Sequence, residues 1–377
     1  MPKKLLRLTT ADISLHALIK GQLRYLSQYF EVVGVAADTG VLEQVGEREG
    51  VRTINVPMHR EISLFADVKS LFALIKLFRR ERPDIVHANT PKASLLGMVA
   101  AWLCRVPNRI YTVTGLRFET TSGVMRFVLK TMERITCFCA TKVIPEGNGV
   151  KDTLLREHIT RKPMQKIHNG NINGIDLDWY DRTDEVMQRA ESIKGDLTGF
   201  RFVFVGRIVK DKGICELVDA FKRLNAECTG VQLMIVGSFE DKLDPLPVHT
   251  RDILDSCSDI ILAGYQNDVR PYLAASDVLV LPSYREGFPN VILQAGAMGL
   301  PVIVTDVNGS DEVIEQGVNG VIVPKYDVDA LYNAMYAMVR DSERTKQMAG
   351  VARNMIAERF DQRDVWAATM EMYNSLS

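Results

Sequence analysis

The stretch DVLVLPSYREGFPNVILQ, residues 277–294, reads as one strand, one loop and one helix. Asp277–Leu281 is a short apolar run of the kind that fills a sheet covered on both faces. Pro282 to Phe288 form a loop, and Pro289 suits the first position of a helix continuing through Asn290–Met298. Glu286 therefore stands at a strand's carboxyl end, beside a helix N-terminus whose free N–H groups favour anions. In open parallel sheets that edge is where ligands bind. A carboxylate there can accept hydrogen bonds from ligand hydroxyls. The helix dipole alone would equally favour an acid at this position.

Outward from this stretch the same alternation repeats. Strands are expected at Lys4–Thr10, Glu31–Ala37, Asp84–Ala88, Arg109–Thr114 and Lys142–Pro145 in the first half. In the second half they are expected at Arg201–Val205, Gln232–Val236, Ile260–Leu262, Asp277–Leu281 and Pro301–Thr305. Amphipathic segments such as Phe65–Glu81, Ala93–Arg105 and Gly123–Ala140 fall between them as helices. The expected fold class is α/β, with two Rossmann-like domains. The seam falls near the turn-forming run Asn169 to Gly174. This divides the chain into 1–173, 174–360 and a last helix, 361–377, which could return to the first domain.

The 377 residues, 46% hydrophobic and 25% charged, suit a globular chain of two domains. The longest uncharged apolar run, Ala93–Cys104, is short of the ~20 residues of a membrane span. No signal peptide is read at the N-terminus. The six cysteines form no C-x-x-C pair, and no metal site is expected. These features suit the cytoplasm. Residues 1–180 hold 26 Lys and Arg against 17 Asp and Glu, leaving 20 against 30 for the rest. A basic first half fits an anionic partner, a phosphate-bearing substrate or membrane headgroups, or simply solvated helix faces. No nucleic-acid partner is expected.

A second strand-end loop follows Arg201–Val205. Gly206 permits a tight turn, Arg207 can grip phosphate oxygens with two donors, Lys212 adds a point charge, and Gly213 precedes a helix from Ile214. The loop suits a diphosphate, and also a solvated basic surface. It is not a P-loop, since G-x-x-x-x-G-K-[ST] is absent. Asp176-Leu177-Asp178 spells D-x-D, but in the hinge rather than after a strand. The spacing of Leu71, Leu74, Ile75 and Phe78 marks a core-facing helix stripe. The adjoining Lys76, Arg79, Arg80 and Arg82 are candidates for contact with an anionic membrane.

Taken together these motifs resemble the retaining glycosyltransferases of family 4, which have the GT-B fold. Glu286 to Gln294 resembles their E-x7-E element, and Phe204 to Gly213 their G-R-x-x-x-x-K-G loop. Leu273–Ser283, Gly299–Thr305, Gly317–Pro324 and Asn169–Asp176 resemble flanking family segments. Asp84–Ala93 is similar to a segment of members that build bacterial capsule and lipopolysaccharide. The resemblance implies a metal-independent transfer from a nucleotide diphosphate sugar, a UDP sugar by preference, to a surface glycan or lipid-linked saccharide. It implies two domains facing across a cleft, the first for acceptor and the second for the nucleotide sugar. No cofactor is implied beyond that co-substrate. Peripheral contact at the inner face of the membrane is a further expectation.

The resemblance also implies roles. Arg207 and Lys212 would hold the diphosphate, and Glu286 the sugar hydroxyls. Gly206, Gly287, Phe288, Pro289 and Asn290 would contact the donor through backbone, Gln294 its ribose, and Val236, Gly237, Tyr265 and Gln266 the base side. On the acceptor side stand His87, Asn89 and Thr114, with His87 equally a candidate for a satisfied core histidine. Two departures are visible: Gln294 replaces the usual second acid, and Thr114 replaces a common histidine. The alternatives are a nucleotide-sugar epimerase and a non-catalytic partner subunit of a glycan-assembly complex.

Overall fold

The computed structural model describes residues 2–59, 63–195, 199–241 and 244–376. They form two compact units: residues 1–174 with 362–377, and residues 175–361.

Unit 1 contains β1 (Lys4–Ala11), β2 (Glu31–Ala37), β3 (Arg52–Asn55), β4 (Ile85–Ala88), β5 (Asn108–Val113) and β6 (Lys142–Pro145). They pair in the order β3-β2-β1-β4-β5-β6, all parallel. Strand side chains alternate between faces, and the register keeps each face consistent. Leu5 pairs with Val32 and Ile85, while Leu6 pairs with Val33 and Val86. The first set enters one core with Ile110 and Ile144, and the second enters another with Tyr111 and Val143. Both faces are covered, so the central strands carry apolar residues in succession rather than in alternation.

The helices Leu64–Glu81, Pro91–Leu103 and Gly123–Cys139 cover the second face, contributing Leu74, Phe78, Met98 and Cys137. Leu74 and Phe78 are buried as the stripe predicts, whereas Leu71 and Ile75 are part-buried. The last helix, Gln362–Asn374, covers the first face with Met372 and Tyr373.

Tyr373 is tied to the sheet. Arg7 Nη1 donates to its hydroxyl at 2.8 Å and lies 2.6 Å from His87 Nδ1, and the hydroxyl sits 2.6 Å from the same Nδ1. His87 Nε2 lies 2.7 Å from Thr112 Oγ1. With Nδ1 facing donors, the ring proton belongs on Nε2, and the imidazole is neutral. Burial, then the adjacent Arg7 charge, holds its pKa well below the usual histidine range.

Unit 2 contains β7 (Phe200–Val205), β8 (Val231–Val236), β9 (Ile260–Gly264), β10 (Val278–Leu281), β11 (Val302–Thr305) and β12 (Gly320–Val323). The order is β12-β11-β10-β7-β8-β9, again parallel throughout. All four residues of β10 are buried. β7 and β10 are neighbours at the point where the strand order reverses, so their following loops emerge side by side. Expected and observed strands agree to within two residues at each end. β3 and β12 were not expected from sequence. Each has four residues at a sheet edge, too short for a period-2 signal.

Replacing Tyr373 by Phe leaves Arg7 and His87 short of a buried partner. We expect a loss of about 1–3 kcal/mol, read as a lower urea midpoint at unchanged m-value.

Candidate functional site

The strand-end loops of unit 2 are held together by backbone contact. Gly213 has φ +69°, and a Cβ there would meet the Pro282 carbonyl oxygen at 2.0 Å. Only glycine lets the turn after β7 lie this close to the loop after β10. At Gly237, a Cβ would meet the Gly206 carbonyl oxygen at 1.8 Å. The backbone is pinned further: Gly206 N donates to Val236 O, Gly237 N to Gly264 O, and Tyr284 N to Asp211 O, each at 2.9 Å.

This close approach brings charged groups into pairs. Lys212, in the 3-10 turn Lys210–Lys212, donates through Nζ to Glu286 Oε1 across 74 residues of sequence. Both side chains are mostly buried. Arg207 Nη1 reaches Glu240 Oε2 at 2.8 Å and is half-exposed. Arg285 Nη2 reaches Asp211 Oδ2 at 3.0 Å. Tyr284 donates to both oxygens of Glu216, at 2.7 and 2.6 Å, and its ring packs 4.2 Å from Tyr326. Burial and the Glu216 carboxylate push the Tyr284 phenol pKa up, so it stays a donor. The result is a set of cations, each balanced by an acid, on the loops at the carboxyl edge of the sheet.

The helix beyond Glu286 starts one residue later than Pro289 suggested. Pro289 is the N-cap, with φ −75° and ψ 106°, and Asn290–Ala297 form the helix. Pro289 is extended, and just before it the Gly287 carbonyl lies against Gly309, where a Cβ would meet that oxygen at 2.5 Å. Phe288 is buried, its ring edge-on to Phe360 at 5.6 Å. Its side chain belongs to the core, which leaves backbone to face a ligand. Gln294 lies on the second turn and is part-exposed. Beyond β9, Tyr265 is 67% exposed, and Gln266 Nε2 donates to Ala263 O at 2.7 Å. In the hinge, Asp176 Oδ1 accepts from the backbone of Asp178 and Trp179, so the D-x-D triplet forms a local turn.

In unit 1 the three acceptor-side candidates are neighbours, but His87 is spent on structure and so is the side-chain oxygen of Asn89. His87 and Asn89 are each 1% exposed. Asn89 Oδ1 accepts from Arg7 Nη2 at 3.3 Å, and Thr114 Oγ1 donates to the Asn89 carbonyl at 2.8 Å. Of the three, Thr114 alone retains accessible surface. A cavity of about 270 Å³ lies nearby, lined by Thr10, Thr90, Lys92, Arg117, Phe118 and Glu133 among others. Lys92 Nζ bonds Asp67 Oδ1 at 2.7 Å on its wall.

Glu133 escaped the sequence reading, because one acid in an amphipathic helix looks like a solvated one. Tyr111 donates to its Oε2 at 2.7 Å. The residue keeps some surface toward the cavity, yet its carboxyl lies deep among protein atoms. Desolvation, opposed by the Tyr111 bond, raises its pKa to about 7. Glu240, Asp211 and Glu216 were missed too, since no spacing links them to partners that only the sheet order brings near.

Comparison with known proteins follows the same division. The family described as Glycosyl transferases group 1 matches residues 199–341, and the Glycosyl transferase 4-like domain matches residues 23–170. Over 380 residues the chain is 32% identical to the capsular polysaccharide biosynthesis glycosyltransferase CapM of Staphylococcus aureus, covering 99% of this chain and 97% of CapM. The chain belongs to the group 1 glycosyltransferases. This glycosyltransferase is also 31% identical, over 94% of each chain, to the Escherichia coli UDP-Gal:alpha-D-GlcNAc-diphosphoundecaprenol alpha-1,3-galactosyltransferase. Its fold matches Anabaena HepE in complex with UDP-glucose, with a TM-score of 0.82 at 21% identity, covering 99% of this chain and all of the other. It also matches sucrose-phosphate synthase from Thermosynechococcus elongatus, with a TM-score of 0.80 at 18% identity over 99% of each. The two parallel six-stranded sheets with their helices are those of the GT-B fold.

Glu133 supplies a pH test. Its folded pKa lies above its unfolded value near 4.5, so the folded state binds more protons between pH 4.5 and about 7. Stability from this group is full at low pH and is lost as pH rises through 7. Relative to Glu133→Gln, the wild type should therefore gain on the order of 1–2 kcal/mol as pH falls from 7 to 5. Urea titrations of both proteins check this.

Proposed function

We propose that this glycosyltransferase is a retaining, metal-independent hexosyltransferase. Its donor would be a uridine diphosphate sugar, and its acceptor a hydroxyl of a lipid-linked saccharide or growing surface glycan. The observation that carries the reading is the meeting of Lys212 and Glu286 at the adjacent ends of β7 and β10. The donor class is supported by the UDP-galactose named for the E. coli relative and by the UDP-glucose bound in HepE. The acceptor class is supported by the diphosphoundecaprenol in the same relative's name and by the capsular role named for CapM.

On this reading unit 2 holds the donor and unit 1 serves the acceptor. The donor's diphosphate exchanges places with carboxylates. Arg207 turns from Glu240, and Lys212 from Glu286, toward phosphate oxygens. Glu286, relieved of its cation, accepts hydrogen bonds from hydroxyls of the transferred sugar. The N–H groups near Phe288 to Asn290 add partial positive charge. Gln294 bonds the ribose as a neutral amide, and Tyr265 and Gln266 lie toward the base.

In the transfer step the acceptor oxygen bonds the anomeric carbon on the face the diphosphate leaves. The bond to the diphosphate breaks, its electron pair staying on the phosphate oxygen, and a phosphate oxygen takes the acceptor's proton. The leaving charge is met by Arg207 and Lys212, fixed before the reaction begins.

A panel of UDP sugars with a lipid-diphosphate saccharide acceptor tests the proposal. Lys212→Ala and Arg207→Ala should each lower kcat by about 10²- to 10³-fold. NMR of the product should show the donor's anomeric configuration, and a chelator should leave the rate unchanged. Full activity in Lys212→Ala, an inverted anomer, or loss of activity to the chelator would each overturn the corresponding part.

A further inference from the structure

Three successive helices of unit 1 lie side by side: Leu64–Glu81, Pro91–Leu103 and Gly123–Cys139. Lys92 joins the second to the first through Asp67, and Trp102 meets Phe138 of the third with ring centroids 6.3 Å apart. Their inner faces pack on the sheet. Their outer faces depart from the ordinary pattern of a surface helix, which exposes polar residues: each exposes large apolar side chains.

In Gly123–Cys139, apart from Gly123, the well-exposed residues are Val124, Met125, Phe127, Val128, Ile135 and Phe138. Not one is polar. Val124, Phe127, Val128, Ile135 and Phe138 share one helical stripe, with Phe127 67% and Phe138 69% exposed. Trp102 and Leu103 extend the patch at the end of the second helix. On the first helix Phe65, Val68 and Phe72 form another stripe, with Phe65 87% exposed.

The charges select the occupant. The first helix exposes four charged residues, Lys69, Lys76, Arg79 and Arg80, all basic. The three helices hold three acids, and each is drawn inward. Asp67 pairs with Lys92, Glu81 with Lys4 and Arg52, and Glu133 accepts from Tyr111. The outer face of the three helices is thus apolar and basic, without an exposed acid. A second copy docking through the same face would set like charges against each other. Anionic headgroups would pair with the lysines and arginines while the aromatic rings enter the acyl boundary.

We propose that this three-helix face seats the enzyme on an anionic lipid surface. The contact is monotopic: among the described residues no helix is long and apolar enough to cross a membrane. The sequence pointed to the basic end of the first helix. The structure shifts the weight to the stripe of the third, whose Phe127 and Phe138 supply the apolar area. The proposal deepens the lipid-linked acceptor reading and rests on it for its purpose. Its test uses neither donor nor acceptor, so the two readings fail separately.

The test is flotation of the full chain with vesicles of mixed phosphatidylglycerol and phosphatidylcholine, against phosphatidylcholine alone. The wild type should float with the anionic vesicles, less so as salt is raised, and poorly with neutral ones. Phe127→Asp/Phe138→Asp should lower the bound fraction roughly tenfold or more. Lys69→Glu/Lys76→Glu should remove the preference for anionic lipid. All four positions are exposed, so the melting temperature should hold. If the aspartate pair fails to fold, the charge-reversed protein decides. The proposal is overturned if the wild type does not float with anionic vesicles, or if foldable variants bind as well as wild type. It is also overturned if sedimentation velocity shows a dimer that the same substitutions dissolve, which would make the covering partner a second copy.

Discussion

The contact on which the site depends is the one between the Gly213 turn and the Pro282 carbonyl. Parallel strands send every carboxyl end to one edge of a sheet, and the reversal of strand order makes β7 and β10 neighbours there. Proximity of the strands is not enough to join their loops. The turn after β7 must press onto the loop after β10 more closely than any side chain permits. Once it does, Lys212 and Glu286 meet, Tyr284 N bonds Asp211 O, and Arg285 reaches Asp211.

That arrangement fixes the electrostatic character of the site. Bringing Arg207, Lys212 and Arg285 to one edge without counter-charge would cost stability through mutual repulsion. Glu240, Glu286 and Asp211 offset this. Exposed pairs of this kind contribute little to stability, about 0–1 kcal/mol, so an anion reaching these loops would displace a carboxylate at small cost. The more buried Lys212–Glu286 pair has more to lose from an unpaired state, which ties the position of the cation to that of the acid.

Unit 1 divides its labour differently. Its buried polar groups, Arg7, His87, Asn89, Thr112 and Tyr373, hold the last helix to the sheet. Its exposed groups are apolar and basic on the three helices of the opposite face. His87, at a strand end where ligand contact was one expectation, is satisfied internally. Glu133, on a helix that reads as ordinary from its periodicity, carries the perturbed carboxyl instead.

The sequence by itself determined the fold class, because strands buried on both faces must be short apolar runs and helices between them must carry a 3.6-residue stripe. It also determined the residue types of the two strand-end loops, since local chain direction alone puts Gly206, Arg207, Lys212, Gly213 and Glu286 at the carboxyl edge of the sheet. Edge strands β3 and β12 escaped because four half-covered residues carry too little pattern. Only the tertiary structure decided which charges pair, since Lys212 and Glu286 are 74 residues apart and Arg207 and Glu240 are 33. It alone decided that Tyr373 closes on Arg7 across 366 residues. It likewise decided that Phe127 and Phe138 face outward: periodicity reports that a helix has an apolar stripe, while packing decides whether that stripe meets the core.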